Sequence, residues 1–220
     1  MKIPIEILYE DEEYIIFNKP AGLLVIPSPH NEPGTLVHRV NEQLKNSSIK
    51  LYPCHRLDRD TSGLILFARG KFNQERMMEA FKKREIKKKY IAFVQGKMPQ
   101  RAGEIEGMIY NRHERFKGRH PAGKLAITRY KVIEIRKHFS IVEVEPVTGR
   151  TNQIRIQFKE IGHPVVGERK YAFARDFAVK FRRTALHALS LKWRHPVTGR
   201  EIVVESPLAR DMREFLKNNY

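Results

Sequence analysis

The chain has 220 residues, 41% of them apolar and 30% charged, enough to bury a core and too apolar for a disordered chain. Forty-two Lys and Arg face 25 Asp and Glu, a net charge of +17, so a polyanionic partner is expected, nucleic acid first and an anionic membrane surface second. A single cysteine, Cys54, excludes an internal disulfide and fits a reducing cytoplasm, while no signal-peptide run and no stretch near the ~20 apolar residues of a membrane span is present.

In chain order, Ile5 to Tyr9 and Tyr14 to Phe17 read as short strands around the acidic triplet Asp11-Glu12-Glu13. Asn18 to Gly22 is a turn and Leu23 to Ile26 resumes extended structure. Residues 27–34 are a proline-rich loop. Leu36, Val37, Val40 and Leu44 have helical spacing. After the charged segment His55 to Gly63, Leu64 to Ala68 is an unbroken apolar run that suits a buried central strand. Lys71 to Glu85 is expected to be a helix with Met77, Met78 and Phe81 on its apolar face, followed by a strand at Tyr90 to Val94.

Residues 96–124 carry Gly, Pro and basic groups, with little periodicity in His113 to His120, and read as a basic loop or a long hairpin. Strands follow at Ala126 to Ile135 and Phe139 to Glu145. The spacing of Ile154, Phe158 and Ile161 predicts a helix over Thr151 to Ile161, with Thr151 as N-cap and Gly162 and Pro164 as stop signals. Leu186 to Trp193 and Glu201 to Val204 bracket a turn at His195 to Arg200, and a helix with Leu208, Met212, Phe215 and Leu216 on one side closes the chain. The sum is an α+β domain with a mixed, mainly antiparallel sheet flanked by helices.

His55-Arg56-Leu57-Asp58-Arg59-Asp60-Thr61-Ser62-Gly63 concentrates polar groups against the start of a buried strand. Such groups need hydrogen bonds or a function. A charged turn whose Thr61 and Ser62 bond their own backbone accounts for them as well as a mounted catalytic group does.

The segment His55-Arg56-Leu57-Asp58, then Thr61-Ser62-Gly63, resembles the signature of the RluA-type RNA pseudouridine synthases. In order, Asn18 to Leu23 is similar to that family's opening motif. Lys88-Lys89-Tyr90-Ile91-Ala92 is similar to its Lys-x-Tyr-x-Ala segment, and Gly149-Arg150-Thr151-Asn152-Gln153-Ile154-Arg155 to its Gly-Arg-Thr-His-Gln-Ile-Arg segment. Leu186-His187-Ala188 and His195-Pro196 resemble its C-terminal strands. The resemblance spans residues 5 to 210. It implies the pseudouridine synthase catalytic fold with a central cleft, and isomerisation of uridine to pseudouridine in RNA without metal or cofactor.

By motif, Asp58 is the expected nucleophile, attacking the ribose anomeric carbon or carbon 6 of uracil, and Asp60 is a loop-bracing carboxylate. Tyr90 is expected to stack on the target base and to position or transfer a proton, and Arg155 to pair with the catalytic carboxylate and keep it ionised. Arg56, Arg150, His55 and Thr61 are the expected RNA- or substrate-contacting positions. Arg56 would bind phosphate or fill the gap left by a flipped base, since uracil inside a stem is out of reach.

Two positions depart from the family pattern, Asn152 and Gln157, where the family has or often has His. The pentapeptide Pro146-Val147-Thr148-Gly149-Arg150 recurs at Pro196 to Arg200, so context rather than the motif assigns a site, and only the first copy leads to Arg155. The whole chain, 1–220, is expected to be one catalytic domain without an N-terminal accessory RNA-binding domain. RNA would then be gripped by the charged run Lys82 to Lys89 and by residues 112–124, on a cytoplasmic monomer acting on ribosomal or transfer RNA. A non-catalytic RNA-binding module of the same fold is the alternative. Nine His without His-x-x-x-His spacing and a lone Cys offer no metal motif.

Overall fold

A computed structural model describes residues 3–28, 32–45, 49–110, 123–173 and 177–219. The chain divides into two compact units, one formed by residues up to Tyr90 with Leu186–Lys217, the other centred on Ile91–Ala185. The expected basic stretch His113 to His120 lies outside the described residues.

In the first unit β1 (Ile7–Glu10), β2 (Tyr14–Lys19), β4 (Ser62–Arg69) and β9 (Leu186–Arg194) lie in that order, with β3 (Leu51–Pro53) on β4 and β10 (Glu201–Glu205) on β9. The pairings are antiparallel except β4 with β9, which is parallel at Ser62 with His187 and Gly63 with Ala188. Seven of the eight β4 residues are buried, as its unbroken apolar run predicts. Alternation splits its side chains between two layers. Leu64 and Leu66 join Ile16, Trp193 and, from α2 (Gly70–Lys82), Met77 and Ala80. Ile65 and Phe67 join Ile15, Phe17, Leu57 and, from α1 (Leu36–Gln43), Leu36 and Val40. Each such side chain, fully buried, contributes about 2 kcal/mol, which makes β4 a rigid base for the loop that precedes it.

The second unit orders its strands β5 (Lys87–Gln95, whose last five residues belong here), β8 (Phe139–Pro146), β7 (Lys124–Ile135) and β6 (Ala102–Ile109). Helix α3 (Gln153–Glu160) packs on β6, β7 and β8, with Phe158 against Tyr130 at 5.9 Å between ring centroids. Helix α4 (Arg210–Asn218), which belongs to the first unit up to Lys217, buries Met212 and Phe215.

Several local expectations are corrected. Of the two readings of the stretch after residue 96, basic loop or long hairpin, the described part fits the hairpin, with strand β6 antiparallel to β7 from Ala102 with Lys131 to Ile109 with Lys124. Its Glu, Gly and Met positions masked the alternation. Leu23 to Ile26 forms no strand: Leu23 and Leu24 are irregular, and Val25 and Ile26 make a bend. Met78 is 50% exposed because α2 centres its buried face on Met77 and Ala80. Helix α3 starts two residues after Thr151. Its N-cap is Asn152 in the left-handed region at φ 56°, and Ile161 lies past its end, 37% exposed. None of the helices among the described residues is long and apolar enough to cross a membrane.

Candidate active site

The loop carrying Asp58 is fastened on both sides within the first unit. Before it, His55 Nε2 accepts the Leu66 backbone N–H at 3.1 Å, and its ring lies 4.9 Å from Phe81. After it, Thr61 and Ser62 are buried, and Ser62 Oγ lies 2.9 Å from His187 Nδ1. Gly63 has φ 104°, and a Cβ there would stand 2.2 Å from the Ala188 carbonyl oxygen. Only glycine lets the loop's end approach β9 this closely. The Thr61 backbone N–H donates to the Asp58 carbonyl at 3.2 Å, closing a turn over Asp58 to Thr61.

The opening motif braces the same loop. Lys19 is fully buried, and its ammonium donates to the carbonyls of Pro20 (2.9 Å), Leu23 (2.7 Å) and Arg59 (3.0 Å). Gly22 N–H also donates to the Arg59 carbonyl, at 2.9 Å, and Arg59 Nε returns a bond to the Gly22 carbonyl. A buried ammonium is tolerated only where such dipoles replace water. The peptide just after Asp58 is thereby pinned. Asp58 and Asp60 are themselves half-buried, and Arg56 is exposed.

Tyr90, half-buried on β5, packs against the cluster containing Leu57, Ile65 and Ala188. Burial, and then the Asp58 charge, push its phenol pKa well above the ordinary tyrosine value. It therefore stays a neutral phenol at physiological pH, able to stack and to hold a proton. Burial, followed by the charge of Lys88, lowers the His55 pKa to about 3, against an opposing backbone hydrogen bond at Arg56. His55 is a neutral brace in the physiological range, with Nε2 as acceptor.

Arg155 is held in the second unit by side chains. Its Nε and Nη2 donate to the two carboxylate oxygens of Glu168 at 2.6 and 2.9 Å, and its Nη1 donates to Asn152 Oδ1 at 2.9 Å. The guanidinium carbon sits 5.4 Å from the Tyr171 ring centroid, and the Asn152 amide donates to the Tyr171 hydroxyl at 2.8 Å. Glu168 has a fully buried side chain and accepts the backbone N–H groups of Arg169, Lys170 and Tyr171. Burial acts to raise its pKa, but the Arg155 hydrogen bond and charge and the backbone donors outweigh it and lower the value. Asn152 thus fills the family's His position with a residue that accepts the left-handed backbone and bridges two partners.

The second departure is absorbed too. Gln157 is fully buried, accepts from Thr128 Oγ1 at 2.6 Å and donates to the Ile105 and Ala126 carbonyls at 2.9 Å. Thr148 and Gln153 complete this network. Gln153 Oε1 accepts from Thr148 Oγ1 and from the Arg150 backbone N–H, and its amide donates to the Ile127 carbonyl. Arg150 itself is half-buried, with Nε donating to the Leu125 carbonyl.

The expected residues accordingly fall in two groups, His55, Arg56, Asp58, Thr61 and Tyr90 in the first unit, Arg150 and Arg155 in the second. Lys19, Gln153, His187 and Glu168 carry positioning roles that sequence reasoning did not assign. The first three stand inside segments matched to family motifs. Glu168 carried only the signal of an acidic side chain after a glycine in a basic stretch. Among the described residues, Asp11, Glu13 and His195 form a group close enough to hold a metal. His195 Nδ1, however, accepts the N–H groups of Val197 and Thr198, which puts its proton on Nε2, facing Asp11 Oδ2 at 3.2 Å. Asp11 also accepts from Tyr9, Glu13 and Tyr14. The cluster ties the β1–β2 turn to the β9–β10 turn.

A family model described as RNA pseudouridylate synthase matches residues 13–160. The chain is 33% identical over 222 residues to the uncharacterized RNA pseudouridine synthase YhcT of Bacillus subtilis (strain 168), covering 98% of this chain and 72% of that protein. It is 35% identical over 240 residues to the ribosomal large subunit pseudouridine synthase D of Escherichia coli (strain K12), covering 98% and 70%. Among solved structures, human RNA pseudouridylate synthase domain containing 4 matches with a TM-score of 0.78 at 23% identity, over 96% of this chain and 91% of that one, a likeness of fold. The chain belongs to the RNA pseudouridylate synthase family, RNA-modifying isomerases, of the RluA type that its motifs resemble, and has the α+β fold of that family.

Proposed function

We propose that the protein isomerises particular uridines of structured ribosomal or transfer RNA to pseudouridine, with Asp58 as the nucleophile. The observation that carries this reading is the fastening of the Asp58 loop by Lys19, Gly63 and the Ser62–His187 pair, with Tyr90 close enough for Asp58 to raise its pKa. Such pre-organisation is what a nucleophile requires. In the reaction the bond from the ribose anomeric carbon to N1 breaks, the uracil turns, and a bond from carbon 5 to the same ribose carbon forms. Carbon 5 loses a proton and N1 gains one, so no co-reactant is consumed.

Tyr90, as a neutral phenol, stacks on and orients the base rather than serving as a resting base. Arg155 is assigned to pair with the nucleophile. Its place in the Gly149 to Arg155 motif supports this, and the clamp of Glu168, Asn152 and Tyr171 holds the guanidinium within its own unit. Exposed Arg56 takes phosphate or the space of the flipped base. Arg150 contributes RNA contacts, and His55 and Thr61 act from inside the loop. The net charge of +17 supports RNA gripping through phosphates; action as a monomer in the cytoplasm belongs to the same proposal. The test is to treat bulk RNA from a strain lacking the protein and map pseudouridine. New sites that chelators do not suppress are expected; RNA that is bound but unmodified would make the protein a non-catalytic RNA-binding module.

A further inference from the structure

Among the described residues, Lys88 is a half-buried cation with no hydrogen-bond or ion-pair partner. It lies half-buried on β5, on the same strand face as Tyr90, while Lys87 and Lys89 between and beside them are exposed. Two residues along a strand put Lys88 and Tyr90 about 7 Å apart. Among the described residues no hydrogen bond or ion pair reaches its ammonium. Its charge acts on His55, at the entrance of the Asp58 loop, and burial alone lowers its own pKa. Lys19 shows the contrast within the same unit, since its buried ammonium has three carbonyl acceptors. A partly desolvated cation beside a candidate catalytic loop, with no acceptor among the described residues, is a candidate site for an arriving anion.

The geometry points to Lys88 as a phosphate-binding subsite for the RNA at the target uridine, resting on the proposed function above. A nucleotide whose base stacks on Tyr90 carries its sugar-phosphate along β5 past Lys88. Exposed Lys87 and Lys89 make diffuse, salt-screened contacts. Lys88 makes a partly desolvated and therefore stronger one.

The experiment measures binding of a labelled oligouridylate RNA by full-length Lys88→Met, Lys88→Arg, Lys87→Met and Lys89→Met proteins across a salt series, with melting temperatures. Lys88→Met should weaken binding roughly five- to tenfold at low salt and lower the slope of log affinity against log salt by about 0.7, one phosphate contact on a single strand. Lys88→Arg should restore most of both, and each outer variant should change affinity less. Lys88→Met should melt no lower than wild type, because an apolar chain of similar length replaces a desolvated charge. Unchanged affinity and slope in Lys88→Met, or a lowered melting temperature, would overturn the subsite. A drop in turnover with an unaltered salt slope would also overturn it, by assigning Lys88 to the chemistry at Asp58 and Tyr90. Pseudouridine formation by the wild type separates the two readings. If it is absent, the proposed function fails; if it is present while Lys88→Met binds normally, only the subsite fails.

Discussion

The Asp58 loop and the Arg155 helix each hold a charged side chain at a partly buried position, by different means. Backbone groups fasten the loop, through Lys19 on the Arg59 carbonyl and the close approach of Gly63 to Ala188. Side chains fasten Arg155, through Glu168, Asn152 and Tyr171. The loop's geometry is therefore inseparable from the fold of its unit, whereas Arg155 can lose its clamp while its unit stays folded. The repeated pentapeptide shows the same dependence on context. In the first copy Thr148 is buried and donates to Gln153. In the second Thr198 is exposed in the β9–β10 turn, closed by His195 N–H on the Arg200 carbonyl.

The contrast breaks first at Gly63. Gly63→Ala should cost on the order of 4 kcal/mol or more, from backbone collision and a disfavoured φ, and urea titration should find little folded protein. Lys19→Met comes next, at about 2 to 4 kcal/mol from buried carbonyls left without a donor, with activity falling alongside stability. Glu168→Gln should separate the two quantities. We expect a stability loss of about 1 to 3 kcal/mol but a fall in kcat of about 100-fold as Arg155 shifts, and little further fall when the change is made in an Arg155→Ala background. Equal losses at Glu168 and Lys19 would erase the distinction between the two regions. Smallest is the pentapeptide pair. Thr148→Val should cost about 1 to 2 kcal/mol and Thr198→Val under about 0.5 kcal/mol, by paired thermal melts.

Acid adds a test of the loop. The folded His55 pKa is lowered to about 3, below an unfolded value of about 6.5, so the unfolded chain binds the extra proton between them. This contribution is complete above about pH 6.5 and is lost as pH falls toward 3. Urea titrations of His55→Gln should show a shallower decline over that range than wild type.

Much of the candidate site could be nominated from the sequence because its residues fall in short contiguous segments, and the strand starting after Gly63 announced itself by an unbroken apolar run. The clamp was not legible. Glu168 is 13 residues from Arg155, and only the fold around Gly167, whose added Cβ would meet the Arg183 carbonyl at 1.9 Å, brings its carboxylate inward. Strand β6 was hidden because Gly103, Glu106 and Gly107 weaken its alternation, while pairing with β7 supplies the order that propensity lacks. Thr151 had the chemistry of an N-cap, but the buried hydrogen bonds of Gln153 fix the backbone so that Asn152 takes that place.

The most direct measurement is single-turnover pseudouridine formation by Asp58→Asn, beside Asp60→Asn, on an RNA that the wild-type protein modifies, with RNA affinity measured in parallel. Asp58→Asn should bind RNA within about twofold of wild type and form no product, while Asp60→Asn should retain turnover. Full activity in Asp58→Asn, or loss of activity in Asp60→Asn alone, would contradict it.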